Sequence, residues 1–393
     1  MLGFMVALAA CSNNGTSSTG GSVAPGTSVN LPSNVYSYET TLAIPGVPPS
    51  KGTFSFDIGF VDESVHQYYL ADKITNGVDV VATLTPPYGQ YLGTAGGGAF
   101  QGLGSTVAGF ARSPNGGPNG DVPIGNGLVA AGDGNSTLKI VSVTSISGAV
   151  VASIPVPNPY TGAPLGPNIC PGPAAATGAP TVGAGNYRVD EMAYDPVDNI
   201  ILAANDNACP AFVTMFQGTA PYTILHQFPL LDANGGAEQP FYDPTQGKFL
   251  EAIPSTTVNP NGAIMVFDPK AFTATEVGIP VACGPSGFAL GPNENAMLGC
   301  SGSLTLINVT TFKVVNQYMG PAPDEVWYSS GTNRFYAADT GNAQLVVTDV
   351  NGNLISKVPT STGAHSVAVE GVNDHVFVPQ SAGAALGLTV YNH

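Results

Sequence analysis

Charge is what this sequence has least of. Only 9% of its 393 residues are Asp, Glu, Lys or Arg, against about 25% in an ordinary globular protein. Long surface helices need Glu, Lys and Arg on their wet face and few Gly or Pro inside. Here 50 Gly and 34 Pro run through the chain, so an α-rich fold is excluded. Basic residues are scarcer still: ten Lys and Arg against 26 Asp and Glu leave a formal charge of −16. That balance repels phosphate backbones and argues against nucleic acid as a partner. No stretch offers the ~20 uninterrupted apolar residues of a membrane-spanning helix. CxxC and CxxCH are absent, which removes the zinc-ribbon and covalent-haem signatures, and with so few His an electron-transfer or cofactor role is the least supported. The serine-hydrolase elbow GxSxG is missing, and the glycine-rich stretches at 93–98 and 116–120 lack the lysine and following helix of a phosphate loop. What the chain does have is apolar surface, with 43% hydrophobic residues including 17 Phe and 15 Tyr. That is enough for a large core and argues against disorder. The composition reads as globular and all-β.

The first eleven residues form an apolar segment that ends in Leu8-Ala9-Ala10-Cys11 and passes abruptly into a Ser/Gly/Thr-rich stretch. This ending resembles the lipobox of bacterial lipoproteins. The resemblance implies a signal segment over residues 1–11, lipidation of Cys11, a flexible tether over 12–34 and a folded domain over 35–393. A secretory signal opens with a basic region, and the first basic residue here is Lys51, so the expectation includes a translation start further upstream. The implied address is exported, periplasmic or outer-surface, with the membrane reached through a lipid anchor. Cysteine usage agrees, because an even four remain after Cys11, and disulfides persist in such compartments. Cys283 and Cys300 bracket a stretch that reads as two strands around the turn Gly291-Pro292-Asn293-Glu294-Asn295. A hairpin there brings the thiols together at its open end, so a Cys283–Cys300 disulfide is predicted, with Cys170–Cys209 by elimination.

Internal repetition is the strongest signal. One frame recurs: a small or acidic residue, a short apolar strand, a turn of Asp, Pro, Gly or Asn, a second apolar strand ending in small residues, a polar turn and a third strand. Asp190 to Asp206 and Asp324 to Asp339 align on it without a gap, and other copies start near residues 57, 120, 238, 286 and 365. The separations are 63, 70, 48, 48, 38 and 41 residues. A four-stranded propeller blade takes roughly 40 to 50 residues, and the two early excesses coincide with Gly/Pro-rich insertions at 92–118 and 157–186. The last copy, ending at Leu388-Thr389-Val390-Tyr391, is one strand short. The alternating segment from Val35 to Ile44 can supply it, which predicts a seven-bladed β-propeller closed by its N-terminal strand. These residues resemble the YVTN-repeat, YncE-like β-propellers of bacterial exported proteins over about residues 35–393. The wider propeller world includes lactonases, haem domains and plain binding scaffolds, so the resemblance implies fold and address more than activity.

Within a propeller the innermost strands line a central channel, and their first residues converge at one mouth. The frame places Asp57, Asn119, Asp190, Glu238, Ser286, Asp324 and His365 in that ring, with Glu191 and Glu325 one step behind. Four of the seven are carboxylates in a chain poor in charge. Crowded acids must be paired, protonated or bound to a cation. One reading is a hard-cation site using Asp57, Asp190, Glu238 and Asp324, with Ca²⁺ or another divalent cation, or a carboxylate cluster for acid/base work. The other has these acids cap strand ends by accepting backbone N–H bonds, or face a water-filled channel. His365 is the one histidine on a channel position. Tyr194, Tyr242, Trp327 and Tyr328 read as packing between blades in preference to a ligand-stacking platform, the alternative for these rings. The leading functional expectation is a binding scaffold for a small-molecule or protein ligand at the channel mouth. The alternative is a metal-dependent hydrolase of the lactonase type. The ten Lys and Arg with five His also limit the charge at full protonation to +15, which suggests a protein suited to acid.

Overall fold

Seven four-stranded antiparallel sheets make up the computed structural model, which describes residues 36–47, 54–102, 117–145, 149–162, 188–206, 208–383 and 386–393. Cys11, the signal segment 1–11, the tether 12–34 and Cys170 lie outside the described residues. In chain order the inner strands of blades 1 to 7 are Phe56–Asp62, Pro118–Gly125, Met192–Asp195, Pro240–Asp243, Pro285–Leu290, Val326–Ser329 and Ala368–Glu370. Each inner strand lies beside the next, and that of blade 7 returns to blade 1, so the ring is closed. This is the seven-bladed, all-β architecture that the repeat predicts.

The sequence explains the layering. Second strands such as Ile200–Asn205 and His375–Gln380 are buried along their whole length. A strand sandwiched between two neighbouring blades is covered on both faces, so it reads as a continuous apolar run. Outer strands such as Thr273–Gly278 are half solvent-exposed and carry mixed residues. That is why they gave no signal in the repeat frame. One of them, Gln90–Ala95, overlaps the insertion expected at 92–118, so that insertion starts later than the sequence suggested. Inner strands of blades 1, 2 and 5 carry register shifts between Phe56 and Gly59, Pro118 and Asp121, and Pro285 and Phe288. An extra residue there re-aims the strand at the rim.

Closure joins the two ends of the domain. Ser37–Leu42 pairs antiparallel with Gly387–Asn392, from Ser37 opposite Asn392 to Leu42 opposite Leu388, and forms the outermost strand of blade 7. The Tyr36 hydroxyl donates to Asp374 Oδ1 at 2.9 Å and accepts from Arg334 Nη1 at 2.5 Å, which ties this strand to blades 6 and 7. In blade 5 the strands Pro285–Leu290 and Asn295–Cys300 form the expected hairpin, and Cys283 is disulfide-bonded to Cys300 with a Cα–Cα distance of 4.6 Å. Cys209 is also held in a disulfide. Among the described residues no helix is long and apolar enough to cross a membrane.

Candidate binding site at the channel mouth

The backbone makes the ring positions equivalent. The amides of Asp190, Glu238 and Asp324 donate to the carbonyls of Ala204, Ala252 and Ala338, the fifth residue of the second strand in blades 3, 4 and 6. Gly120 and Gly287 stand one step further in, beside Glu191, Gln239 and Glu325 of other blades. A Cβ on Gly120 would come within 2.6 Å of the Asp190 carbonyl oxygen, and one on Gly287 within 2.8 Å of the Asp324 carbonyl oxygen. Glycine at these two points lets adjacent inner strands approach and narrows the hub around the acids.

The carboxylates are not used alike. Asp57 accepts from Lys73 Nζ at 2.5 Å, lies 3.5 Å from His365 Nε2 and 3.9 Å from Arg188 Nη1. Arg188 also holds Asp190 at 2.6 Å and clasps both oxygens of Asp206 at 2.8 and 2.9 Å. Burial opposes ionisation of Asp57, but Lys73, His365 and Arg188 together outweigh it and hold its carboxyl well below the usual range. His365, whose Nδ1 lies 2.7 Å from the Gly363 carbonyl oxygen and whose ring stacks on Phe56 at 4.6 Å, is pushed upward. Burial disfavours its charged form, and Asp57 and Asp324 outweigh that. Asp190 rises despite Arg188, because burial and then Asp206, Asp57 and Glu238 crowd it. Lys73, Arg188 and His365 are thus shared among Asp57, Asp190 and Asp206.

The remaining acids have no such partner. Burial first, then Asp206 and Asp324, push Glu238 up to about 8. Burial also raises Asp324, and burial together with Glu238, Asp190, Asp324 and Glu325 raises Glu191, one of whose oxygens has no hydrogen-bond partner. Glu325 is turned inward, accepting from the Val367 amide at 2.8 Å, as the strand-capping reading expects. Asn119 also turns away, donating to the Val189 carbonyl at 3.4 Å, and Ser286 meets blade 4 through its backbone carbonyl, which accepts from the Gln239 amide at 3.2 Å. The structure thus gathers Asp57, Asp190 and His365 into one ion-pair network and leaves Glu238, Asp324 and Glu191 beside it. Among the described residues no group of three or more His, Cys, Asp or Glu side chains is arranged to hold a metal ion. For Asp57 and Asp190 the physical reason is that protein cations already occupy their oxygens.

Lys73, Arg188 and Asp206 were missed in the sequence. A signal was present: the chain has only ten Lys and Arg, and two of them converge on Asp57. Neither falls on an inner strand, so the repeat frame did not reach them. Tyr194, Tyr242, Trp327 and Tyr328 do pack against the core between blades, as expected, but they also line a cavity of about 530 Å³ at the other end of the channel, where the alternative of a stacking platform would put them.

No protein-family model matches the sequence, and no curated protein does. Solved structures do match in fold. Virginiamycin B lyase from Staphylococcus aureus superposes with a TM-score of 0.61 at 10% identity, over 91% of this chain and 99% of that one. A streptogramin B lyase gives 0.59 at 12% identity, over 91% and 97%, and the WD40 propeller domain of Doa1 gives 0.59 at 12%, over 92% and 98%. At such identities the likeness is one of fold, shared by lyases and by WD40 domains alike.

Proposed function

We propose that this chain is an exported, lipid-anchored propeller of the YncE-like kind that binds the positively charged group of a small-molecule or protein ligand at the charged mouth. The observation that carries this reading is Glu238. Its carboxyl is pushed up to about 8 by burial and by Asp206 and Asp324, with no protein cation in contact, so the acidic side of the mouth carries protons where a ligand's ammonium group could stand. Glu238 and Asp324 would take that group, with Glu191 behind them, while Lys73, Arg188 and His365 fix Asp57, Asp190 and Asp206 and keep that side of the mouth rigid. A metal-dependent hydrolase needs three ligands around one point, and the described residues offer no such set. The binding reading therefore stands first.

Calorimetry with spermidine as the probe tests it. An ammonium docking beside Glu238 drives off its proton, so the binding heat at pH 7 should differ between phosphate and Tris buffers, and affinity should rise as the pH is raised towards 8. Glu238→Gln should remove both the buffer dependence and most of the affinity. No binding at millimolar spermidine, or binding indifferent to Glu238→Gln, would refute the reading. Mass spectrometry of the mature protein tests the anchor, since an unmodified peptide running through Cys11 contradicts lipidation.

A further inference from the structure

At the far end of the channel, three residues along from each ring position, the inner strands present Phe60, Val122, Ala193, Phe241, Ala289 and Trp327 in blades 1 to 6. Three are large rings and three are small. Large side chains in every blade would seal the hub, and the small ones leave the cavity of about 530 Å³ between the rings. This volume lies within the roughly 300–1,000 Å³ of small-molecule sites. The floor is Gln239, whose amide donates to the Val326 carbonyl at 3.1 Å and accepts from the Phe288 and Val326 amides at 2.7 and 3.1 Å. Its polar atoms are therefore committed across the channel. The rim is made by tyrosine rings held in place from behind: Tyr194 donates to Asn199 Oδ1 and Tyr328 to Asn333 Oδ1, each at 2.9 Å. No Asp, Glu, Lys, Arg or His side chain lines the wall among the described residues.

We propose that this far mouth is a second binding site, for a small uncharged aromatic molecule. Three features select that class. A charged ligand would lose its hydration and meet no counter-charge, and anions are further opposed by the formal charge of −16. The wall offers aromatic faces and edges, already packed edge-to-face where Phe60 meets Trp327 at 4.8 Å, and such surfaces reward another ring with offset or T-shaped contacts. The floor has a hydrogen bond at each of its polar atoms, while the Trp327 indole N–H in the wall, buried with no hydrogen-bond partner among the described residues, leaves a donor for one acceptor on an otherwise apolar ligand. The site stands apart from the charged mouth and does not depend on what binds there.

Trp327 is the single tryptophan of the chain, so it reports occupancy directly. Titration of the full chain with the neutral dye N-phenyl-1-naphthylamine should show saturable one-to-one binding, with energy transfer from Trp327 to the dye. Filling the gaps with Ala193→Leu and Ala289→Leu should weaken binding at least about tenfold. If that variant does not melt cooperatively, the paired rim substitutions Tyr242→Ser and Tyr328→Ser replace it, with the same loss expected. Saturating spermidine should leave dye binding unchanged, so the two sites fail separately. The proposal is overturned if the dye does not bind, if it binds without quenching Trp327, or if a folded filled or rim variant binds as the parent does. Displacement by dodecanol but not by naphthalene would assign an alkyl chain and equally overturn it.

Discussion

Arg188 does more at the mouth than any other single side chain, because its guanidinium touches Asp190, clasps Asp206 and reaches towards Asp57. Removing one partner of a largely buried ion pair leaves uncompensated charge. Arg188→Met should therefore destabilise the protein at pH 7 by about 2–4 kcal/mol, the range being kept modest because part of the side chain meets solvent. The loss should shrink as the pH is lowered towards 4, where Asp190, whose carboxyl burial already raises, can protonate instead. Urea unfolding at the two pH values measures this, and an equal loss at both would mean that Arg188 contributes packing rather than charge. Other acids brace backbone turns. Asp195 and Asp243 each accept from two amides of the turn that follows their inner strand, Val197 and Asp198 in one case, Thr245 and Gln246 in the other. In sequence these acids look no different from the ring acids.

Among the elements, the strand Ser37–Leu42 joins the two ends of the ring. It covers Gly387–Asn392, which would otherwise be an exposed edge of unpaired N–H and C=O groups. A chain beginning at Ala43 should melt well below the parent and self-associate through the bared edge, as seen by thermal melting and sedimentation velocity. A monomer with the parent's melting temperature would show that closure contributes little. The same strand was legible in the sequence because its alternation is clear and the last repeat lacks a strand. The fourth strands of the blades were not. Lys313–Met319 and Thr273–Gly278 meet solvent and carry no fixed pattern, so nothing in their residues distinguishes them from loops.

For the molecule as a whole the buried acids set the response to pH. Burial and neighbouring carboxylates raise Glu238 to about 8 and also raise Glu191, Asp190 and Asp324. Burial alone raises Asp121, and burial first also raises Glu251; neither carboxyl has a hydrogen-bond partner among the described residues. Groups whose folded value lies above the ordinary one keep their protons in the native state after the unfolded chain has released them. Stability is therefore fullest below the ordinary value, 4.5 for Glu238, and is lost as the pH rises from there through about 8. His365, also raised, acts in the same direction. Asp57 and Asp268 are depressed, Asp268 to about 2, so their contribution is lost only as the pH falls below the ordinary 3.8 towards those values. The melting temperature should peak near pH 4 to 5 and be several degrees lower at pH 8.5, with Glu238→Gln narrowing the difference. Higher stability at pH 8.5 than at pH 4.5 would contradict the buried-acid account and the suggested fitness for acid with it.

The number of blades, the closing strand and the Cys283–Cys300 bond could be derived from the residues, because each follows from local pattern: apolar periodicity, turn residues and the spacing of a hairpin. Which acids are neutralised could not, because Lys73 and Arg188 reach Asp57 from segments that only blade packing brings together. The cavity at the far mouth was equally hidden. Whether a tyrosine fills a gap or borders one depends on the size of its neighbours around the ring, and those neighbours lie in other blades of the chain.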